Sequence, residues 1–350
     1  WMNNHCMQEE DQCMGLNEIN CSNTDGCNWM MDMCMESGGM VGMGGEFPHF
    51  IVVDEINGYW FVTTSTSGYV GRYILDTGLL IDKLYLGDFP AIMVINKADK
   101  KLYVSRMMLM PMMGSVSKII HQIDYADPIQ MTISHEYELD SPTPHGIAIN
   151  TDGSEVYSAS NTTDWLYKII PGGDSPIERV VMDPTSLNAN TPNLEVYRLN
   201  PLQCLYVSDN LLFITCNGGN YTDWYGGEEV DISGQVQLWN TTSPMFLIDS
   251  IHFSSESKPW HIINSPNQNH VYVTLAGRSG QGSGVVCLSY ENNELNIIWD
   301  NYYEEFHTLH GIDISEDGST VYVSDKLDDH LHILRSDNGQ IIKSIPLSEN

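Results

Sequence analysis

The chain has 350 residues, of which 42% are apolar, enough for one large domain or two ordinary ones. Fifteen Lys and Arg stand against 46 Asp and Glu, which leaves a formal charge of -31. A surface this acidic repels nucleic acid and anionic membranes, so polyanionic partners are excluded as a class. No apolar run approaches the roughly 18 residues that cross a bilayer, so the sequence also predicts no membrane insertion.

Residues 1–46 differ from the rest of the chain in their sulfur content. They hold nine of the 18 Met and five of the eight Cys, namely Cys6, Cys13, Cys21, Cys27 and Cys34. The Cys spacing is irregular and contains no Cys-x2-Cys pair, which favours disulfides over a structural zinc site. We therefore predict a disulfide-stapled N-terminal segment in a protein that is secreted, periplasmic or on the cell surface.

The remaining cysteines and the start of the chain bear on the same compartment. Cys204 and Cys216 flank the turn at 208–210, so we expect them to pair across a hairpin. Cys287 is then either free or bonded to an N-terminal Cys. The chain begins at Trp1 without a basic segment followed by an apolar one, which we interpret as a chain already trimmed of a leader. Three Asn-x-Thr triplets agree with an exterior location: Asn161, Asn220 and Asn240.

From about residue 47 onward, one pattern returns at intervals of roughly 45 to 60 residues. Its clearest copies are 144–157 and 309–322, and each reads as a strand, an Asp-Gly turn and a second strand rich in β-branched and aromatic residues. Two further strands follow in each unit. Weaker copies start at Pro48, Pro90 and Pro259, and a degenerate copy covers 203–216. Six repeated units of four antiparallel strands predict an all-β fold, a β-propeller over 47–350 with little helix.

The repeat Pro144-His145-Gly146-Ile147-Ala148-Ile149-Asn150-Thr151-Asp152-Gly153 resembles the YVTN-type repeat of extracytoplasmic propellers. The resemblance spans 47–350 and implies a propeller fold. Seven blades are usual in that family, so seven remain possible beside the count of six. Propellers serve binding, scaffolding and catalysis alike, so the resemblance does not assign a function.

In such propellers, the residue before the first-strand Gly lies near the central axis. Aligning the repeats places six residues in this column: His49, Ala91, His145, Gln203, Trp260 and His310. His261 follows the column by one residue, and His307 precedes His310 by three. Neutral imidazoles that converge from separate strands are suited to copper or zinc and leave a coordination position open. The sequence therefore predicts an axial metal site held by His49, His145 and His310, with His261 and His307 as further ligands.

A methionine-rich loop strengthens the choice of copper. Five Met follow the strand at 102–105 in the second unit: Met107, Met108, Met110, Met112 and Met113. This loop is expected on the same face as the histidine column, in the unit that carries Ala91 in place of His. Thioether and imidazole together are the ligand set that selects copper, with zinc as the alternative.

Two functions follow from these features. The first is a secreted copper-binding propeller for copper redox chemistry, storage or delivery, among which the residues do not decide. The second is an extracellular interaction or assembly module, in which residues 1–46 dock to a partner or a neighbouring subunit without metal. The Met clusters fit both, because Met surfaces also form adaptable protein contacts.

Overall fold

The computed structural model describes residues 27–30, 33–36, 47–87, 89–107, 117–174, 176–185, 189–196, 198–220, 231–277 and 282–347. The chain divides into two compact units, Trp1–Gly44 and Gly45–Asn350. In the first unit, β1 (Cys27–Met30) and β2 (Met33–Glu36) pair antiparallel, with Trp29 opposite Cys34. The cysteine side chains of this segment, and the disulfides predicted for them, lie outside the described part of the structure.

The second unit is a propeller of six antiparallel four-stranded blades, which confirms the predicted fold class and the count of six. The strands of the blades, in chain order, are as follows. Blade 1 has β3 (Pro48–Asp54), β4 (Tyr59–Thr64), β5 (Tyr69–Ile74) and β6 (Leu80–Tyr85); blade 2 has β7 (Pro90–Asn96), β8 (Lys101–Arg106), β9 (Ile119–Asp124) and β10 (Thr132–Glu138). Blade 3 has β11 (Pro144–Ile149), β12 (Val156–Ser160), β13 (Trp165–Ile169) and β14 (Glu178–Val181); blade 4 has β15 (Pro201–Ser208), β16 (Leu211–Cys216), β19 (Gln235–Asn240) and β20 (Phe246–His252). Blade 5 has β21 (Pro259–Asn264), β22 (His270–Leu275), β23 (Gly284–Ser289) and β24 (Asn296–Asn301); blade 6 has β25 (Leu309–Ile314), β26 (Thr320–Asp325), β27 (His330–Arg335) and β28 (Ile341–Pro346).

Helix is nearly absent from the described residues, as the sequence predicts. A 3-10 turn at Glu291–Asn293 is the helical element found there, and no described helix has the length and apolarity to cross a membrane. A small ribbon of β17 (Gly219–Asn220) and β18 (Asp231–Ile232) stands between the second and third strands of blade 4.

The Asp-Gly turns form as the repeat predicts. In blade 3, Gly153 adopts a φ of +76°, and a Cβ at this position would overlap Asn96 of blade 2. The Asp152 carboxylate accepts a hydrogen bond from the Ser154 N–H at 3.0 Å, which closes the turn. Only glycine combines this backbone conformation with the close approach of the neighbouring blade.

The blades are held together by apolar clusters between consecutive sheets. Five clusters of buried residues join blade 1 to 2, 2 to 3, 3 to 4, 4 to 5 and 5 to 6. In the described residues, no such cluster joins blade 6 to blade 1. Each blade also takes its four described strands from one continuous stretch of chain, so the described residues show no strand exchange between the two ends of the propeller.

The predicted Cys204–Cys216 disulfide is wrong. The two residues lie on neighbouring strands, but Cys204 is opposite Ile214 and Cys216 is opposite Pro201, so their side chains are not in register. Both are buried free thiols, as is Cys287. Burial also affects the first sequon, because Asn161 is 6% exposed and donates its side-chain N–H to the Pro201 carbonyl at 3.0 Å.

Candidate functional site

A β-bulge at the start of every innermost strand creates the axial site. In β3 the register shifts between Pro48 and Phe50, and in β11 it shifts between Pro144 and Gly146. The shift leaves His49 and His145 without a ladder partner. The first strands of the other four blades contain the same irregularity. Bulges re-aim side chains, and here they take the column residues out of the regular pleat.

Hydroxyl groups on the second strands tie these bulges to the next blade. Thr63 donates to the Ala91 carbonyl at 2.6 Å, Thr215 to the Trp260 carbonyl at 2.5 Å and Thr274 to the His310 carbonyl at 2.8 Å. Each acceptor is a residue of the predicted column. The same hydroxyls accept backbone N–H bonds within their own blade, for example from His261 to Thr274 at 3.0 Å. The backbones of Ala91, Trp260 and His310 are therefore held by side chains of the preceding blade.

The same hydrogen-bond pattern corrects one member of the column. In blade 4 the bulge leaves Leu202 unpaired, and the Gln203 N–H donates to Thr215 at 3.2 Å. This matches Phe50, whose N–H donates to Thr63 at 3.0 Å and which follows the column residue His49. Leu202 therefore occupies the column in blade 4, and the prediction of Gln203 is wrong by one residue. The degenerate repeat lacks the Gly that marks the position in blades 3 and 6.

Four imidazoles come together at the axis, and we call His49, His145, His261 and His310 the axial cluster. The rings of His49 and His145 have centroids 6.0 Å apart, and those of His261 and His310 are 4.8 Å apart. Phe50 of blade 1 lies 6.2 Å from His261 of blade 5, ring centroid to centroid, so the two pairs meet across the ring. Residues from blades 1, 3, 5 and 6 thus converge, although 261 positions separate the first from the last in the sequence.

The axial imidazoles are neutral at pH 7 because burial opposes their charged form. Desolvation, with the neighbouring His145, His261 and Lys326, lowers the pKa of His49 to about 3. Desolvation lowers the pKa of His261 to about 3 as well, and that of His310 falls well below its ordinary value. Neutral imidazole is the form that ligates metals, so no proton has to be displaced when an ion binds.

His145 has the environment expected of a metal ligand. It is 2% exposed, and its Nδ1 lies 2.6 Å from the Leu202 carbonyl, so Nδ1 carries the proton and donates it. Nε2 is then a bare lone pair, and it is buried without a hydrogen-bond partner. Desolvation lowers the pKa of His145 to about 4, against the opposing effect of the Leu202 bond. Nε2 of His49 is likewise buried without a partner.

His307 lies in a different group of residues. Its Nδ1 is 3.8 Å from a carboxylate oxygen of Asp325 and 3.8 Å from one of Asp328. His332 stands on the other side of Asp325, with Nε2 3.8 Å from the same oxygen. The structure therefore places His307 with the acidic residues of blade 6, while His49, His145, His261 and His310 form the axial cluster.

The methionine loop is described only at its start. Met107 is partly buried, donates its N–H to the Phe89 carbonyl at 2.8 Å and packs on the apolar cluster between blades 2 and 3. Met108, Met110, Met112 and Met113 lie outside the described residues.

In the part of the chain that the structure describes, no group of three or more His, Cys, Asp or Glu side chains is arranged to hold a metal ion. The axial cluster instead offers pairs of imidazoles. Sequence reasoning named all four of its members, because the repeat marks the axial position of His49, His145 and His310, and His261 follows the column residue Trp260. It gave no signal for the grouping of His307 with His332, which depends on the pairing of β26 with β27.

Comparison with solved structures supports the fold. The chain is similar to Kuenenia stuttgartiensis hydrazine synthase at 15% identity, covering 84% of this chain and 78% of that one, with a TM-score of 0.63. It is similar to a putative 6-phosphogluconolactonase from Bacteroides fragilis at 14% identity, covering 86% and 85%, with a TM-score of 0.62. The Myceliophteria thermophila Cps50 (Swd1) β-propeller domain matches at 10% identity, covering 88% and 89%, also with a TM-score of 0.62. Identities this low show the fold alone.

No family model matches the sequence, and no curated protein does. The resemblance to the YVTN-type repeat stays a prediction beside the six-bladed propeller that the structure shows.

Proposed function

We propose that this protein is an extracytoplasmic copper-binding propeller that holds Cu(I) in its axial cluster, between His49 and His145. The observation that carries the proposal is the state of His145. A histidine that ligates a metal usually donates its other ring N–H to a carboxylate or backbone carbonyl, which fixes the tautomer and the ring. His145 makes that bond to Leu202 and leaves a buried, unpartnered Nε2.

The separation of the two rings suits one ion between them. A metal about 2.0 Å from Nε2 lies roughly 3.1 Å from the centroid of an imidazole ring. Two imidazoles on nearly opposite sides of the ion then have centroids roughly 6 Å apart, and the centroids of His49 and His145 are 6.0 Å apart. Cu(I) accepts such two-coordinate geometry, whereas zinc favours four ligands in a tetrahedron. His261 and His310 stand beside this pair as further donors.

Charge near the site also favours a monovalent ion. Lys326 is close enough to lower the pKa of both His49 and His310, and its charge repels a divalent cation about twice as strongly as a monovalent one. Neutral imidazoles beside one ammonium group therefore suit Cu(I) better than Cu(II) or Zn(II).

The test is a Cu(I) titration of the full chain without oxygen, against a coloured competing chelator. Residues 1–46 are rich in Met and Cys, which bind Cu(I) themselves. The readout is therefore the difference in Cu(I) binding between each variant and the unaltered chain. His145→Asn keeps a side-chain N–H for the Leu202 carbonyl but loses Nε2. We expect it to lose one equivalent of Cu(I), or more than about tenfold in affinity for it.

The matched control is His252→Asn, since His252 is exposed at the end of β20. It should bind as the unaltered protein does. X-ray absorption of the loaded protein should show nitrogen neighbours at about 2.0 Å. Equal stoichiometry and affinity in His145→Asn, His49→Asn and the control would contradict the proposal.

The assembly module is the second candidate, and exposed apolar surface favours it. Ile51 and Val53 of blade 1 are 57% and 42% exposed, although they belong to an innermost strand. Surface of this kind commonly meets a partner. In this reading, residues 1–46 dock to a partner or to another copy of the chain. Deleting them should then abolish oligomers in sedimentation experiments while leaving the axial copper in place.

A further inference from the structure

The interface between blade 6 and blade 1 differs from the other five, and we call it the seam. On the blade 1 side, the face turned away from blade 2 carries Ile51, Val53 and the stacked pair Trp60 and Tyr73, whose ring centroids are 4.1 Å apart. Ile51 and Val53 are exposed, and the two aromatic rings are only partly buried. In blade 3, by contrast, every residue of β12 and β13 is buried.

The blade 6 side of the seam is equally incomplete. Tyr322, Leu331 and Ile333 lie on the face turned away from blade 5 and are all partly exposed. Their neighbours in sequence, Val321 and Val323, face blade 5 and are 0% exposed. Blade 6 therefore has one sealed face and one face that the described part of blade 1 does not cover.

The exposure of the axial cluster matches this asymmetry. His49 and His310 belong to the two blades that flank the seam, and both are partly exposed. His145 and His261 belong to blades 3 and 5, and they are 2% and 8% exposed. The two histidines of the blades that flank the seam are therefore the more exposed members of the axial cluster.

We propose that the seam is the entry and exit route of the axial site, so that a small ligand reaches the imidazoles sideways between blades 6 and 1. The identity of that ligand as Cu(I) rests on the proposed function, but the route does not. With such a route, the spacing between blades 6 and 1 sets the rate at which the small ligand enters and leaves. The axial histidines meanwhile stay in place, because the bulges and the other blade interfaces hold them.

The experiment uses diethyl pyrocarbonate, which acylates accessible neutral imidazoles, on the metal-free full chain. Acylation of each histidine is followed by mass spectrometry, with the exposed His252 as internal reference. Ile51→Trp adds bulk on the seam face, and Tyr322→Ala removes it. Ile129→Trp is the matched control, since Ile129 is 76% exposed in blade 2, outside the seam.

We expect His49 and His310 to react faster than His145 in the unaltered protein. Ile51→Trp should slow their acylation severalfold, Tyr322→Ala should speed it, and the control should match the unaltered chain. Unchanged rates in both seam variants would overturn the route, as would equal protection of all four histidines. Circular dichroism confirms that each variant is folded, and if Ile51→Trp is not, the faster reaction of Tyr322→Ala decides.

A second experiment tests whether Cu(I) leaves the axial site by the same route. In variants that retain the full Cu(I) equivalent, release to a chelator should slow in Ile51→Trp and quicken in Tyr322→Ala. Protein that shows the acylation pattern but binds no axial copper disproves the proposed function and leaves the route standing. Copper that binds and exchanges at one rate in all variants disproves the route alone.

Discussion

The buried axial histidines make the stability of the propeller strongly dependent on pH, and His145 gives the clearest measurement. Its pKa is about 4 in the folded chain, because burial opposes the charged form, against about 6.5 in the unfolded chain. A group whose folded pKa is depressed contributes stability that is present above the unfolded pKa and is lost as the pH falls below it. The window for His145 therefore runs from about pH 6.5 down to about pH 4.

The magnitude follows from proton linkage. At pH 5 the unfolded imidazole is almost fully protonated and the folded one almost fully neutral, so His145 costs about 2 kcal/mol relative to pH 7. His49 and His261, with pKa values of about 3, add similar amounts. Asp164 acts in the opposite direction, because burial raises its pKa to about 7 and its folded form holds a proton that the unfolded form releases.

The assay is urea unfolding of metal-free protein at pH 7 and at pH 5, for the unaltered chain and for His145→Asn. The substitution changes stability at both pH values, so the readout is the difference between them. We expect the loss of unfolding free energy from pH 7 to pH 5 to be smaller by about 2 kcal/mol in the variant. Asp164→Asn should change this difference with the opposite sign. An identical pH dependence in His145→Asn and the unaltered chain would refute the argument that His145 is buried and neutral.

Two further predictions concern the rest of the propeller. Arg72 is 0% exposed, pairs with Asp82 at 2.9 Å and donates to the Asp127 carbonyl of blade 2 at 2.7 Å. Arg72→Met should therefore cost about 3 to 5 kcal/mol by denaturant titration, and adding Asp82→Leu should recover part of it; a double variant no more stable than the single one would contradict this account. Burial raises the pKa of Cys287 to about 12 and that of Cys204 further, so both thiols should resist alkylation in native protein and react on unfolding, as peptide mass spectrometry would show. Modification of either thiol at the rate of an exposed cysteine would show that the interior opens.

Most of what the sequence determined about this protein came from its repeat pattern. Asp-Gly turns, alternating β-branched residues and the recurring Pro at the start of a unit depend on local backbone preferences, so they can be read without coordinates. They gave six blades, the propeller and the axial positions of His49, His145 and His310. In blade 4 the repeat has no Gly at this position, so the sequence pattern placed Gln203 in the column. The β-bulge of the structure places Leu202 there instead.

Tertiary structure alone decided the remaining features, because each depends on pairing between strands or between blades. Register separated Cys204 from Cys216, and the fold set His307 beside Asp325. The Leu202 carbonyl that orients His145 comes from the next blade, and its contact with Nδ1 leaves no pattern in the sequence. The seam is a difference in packing among six similar units. A repeated sequence pattern describes its copies as equivalent, so it gives no signal for the one interface at which the described residues pack differently.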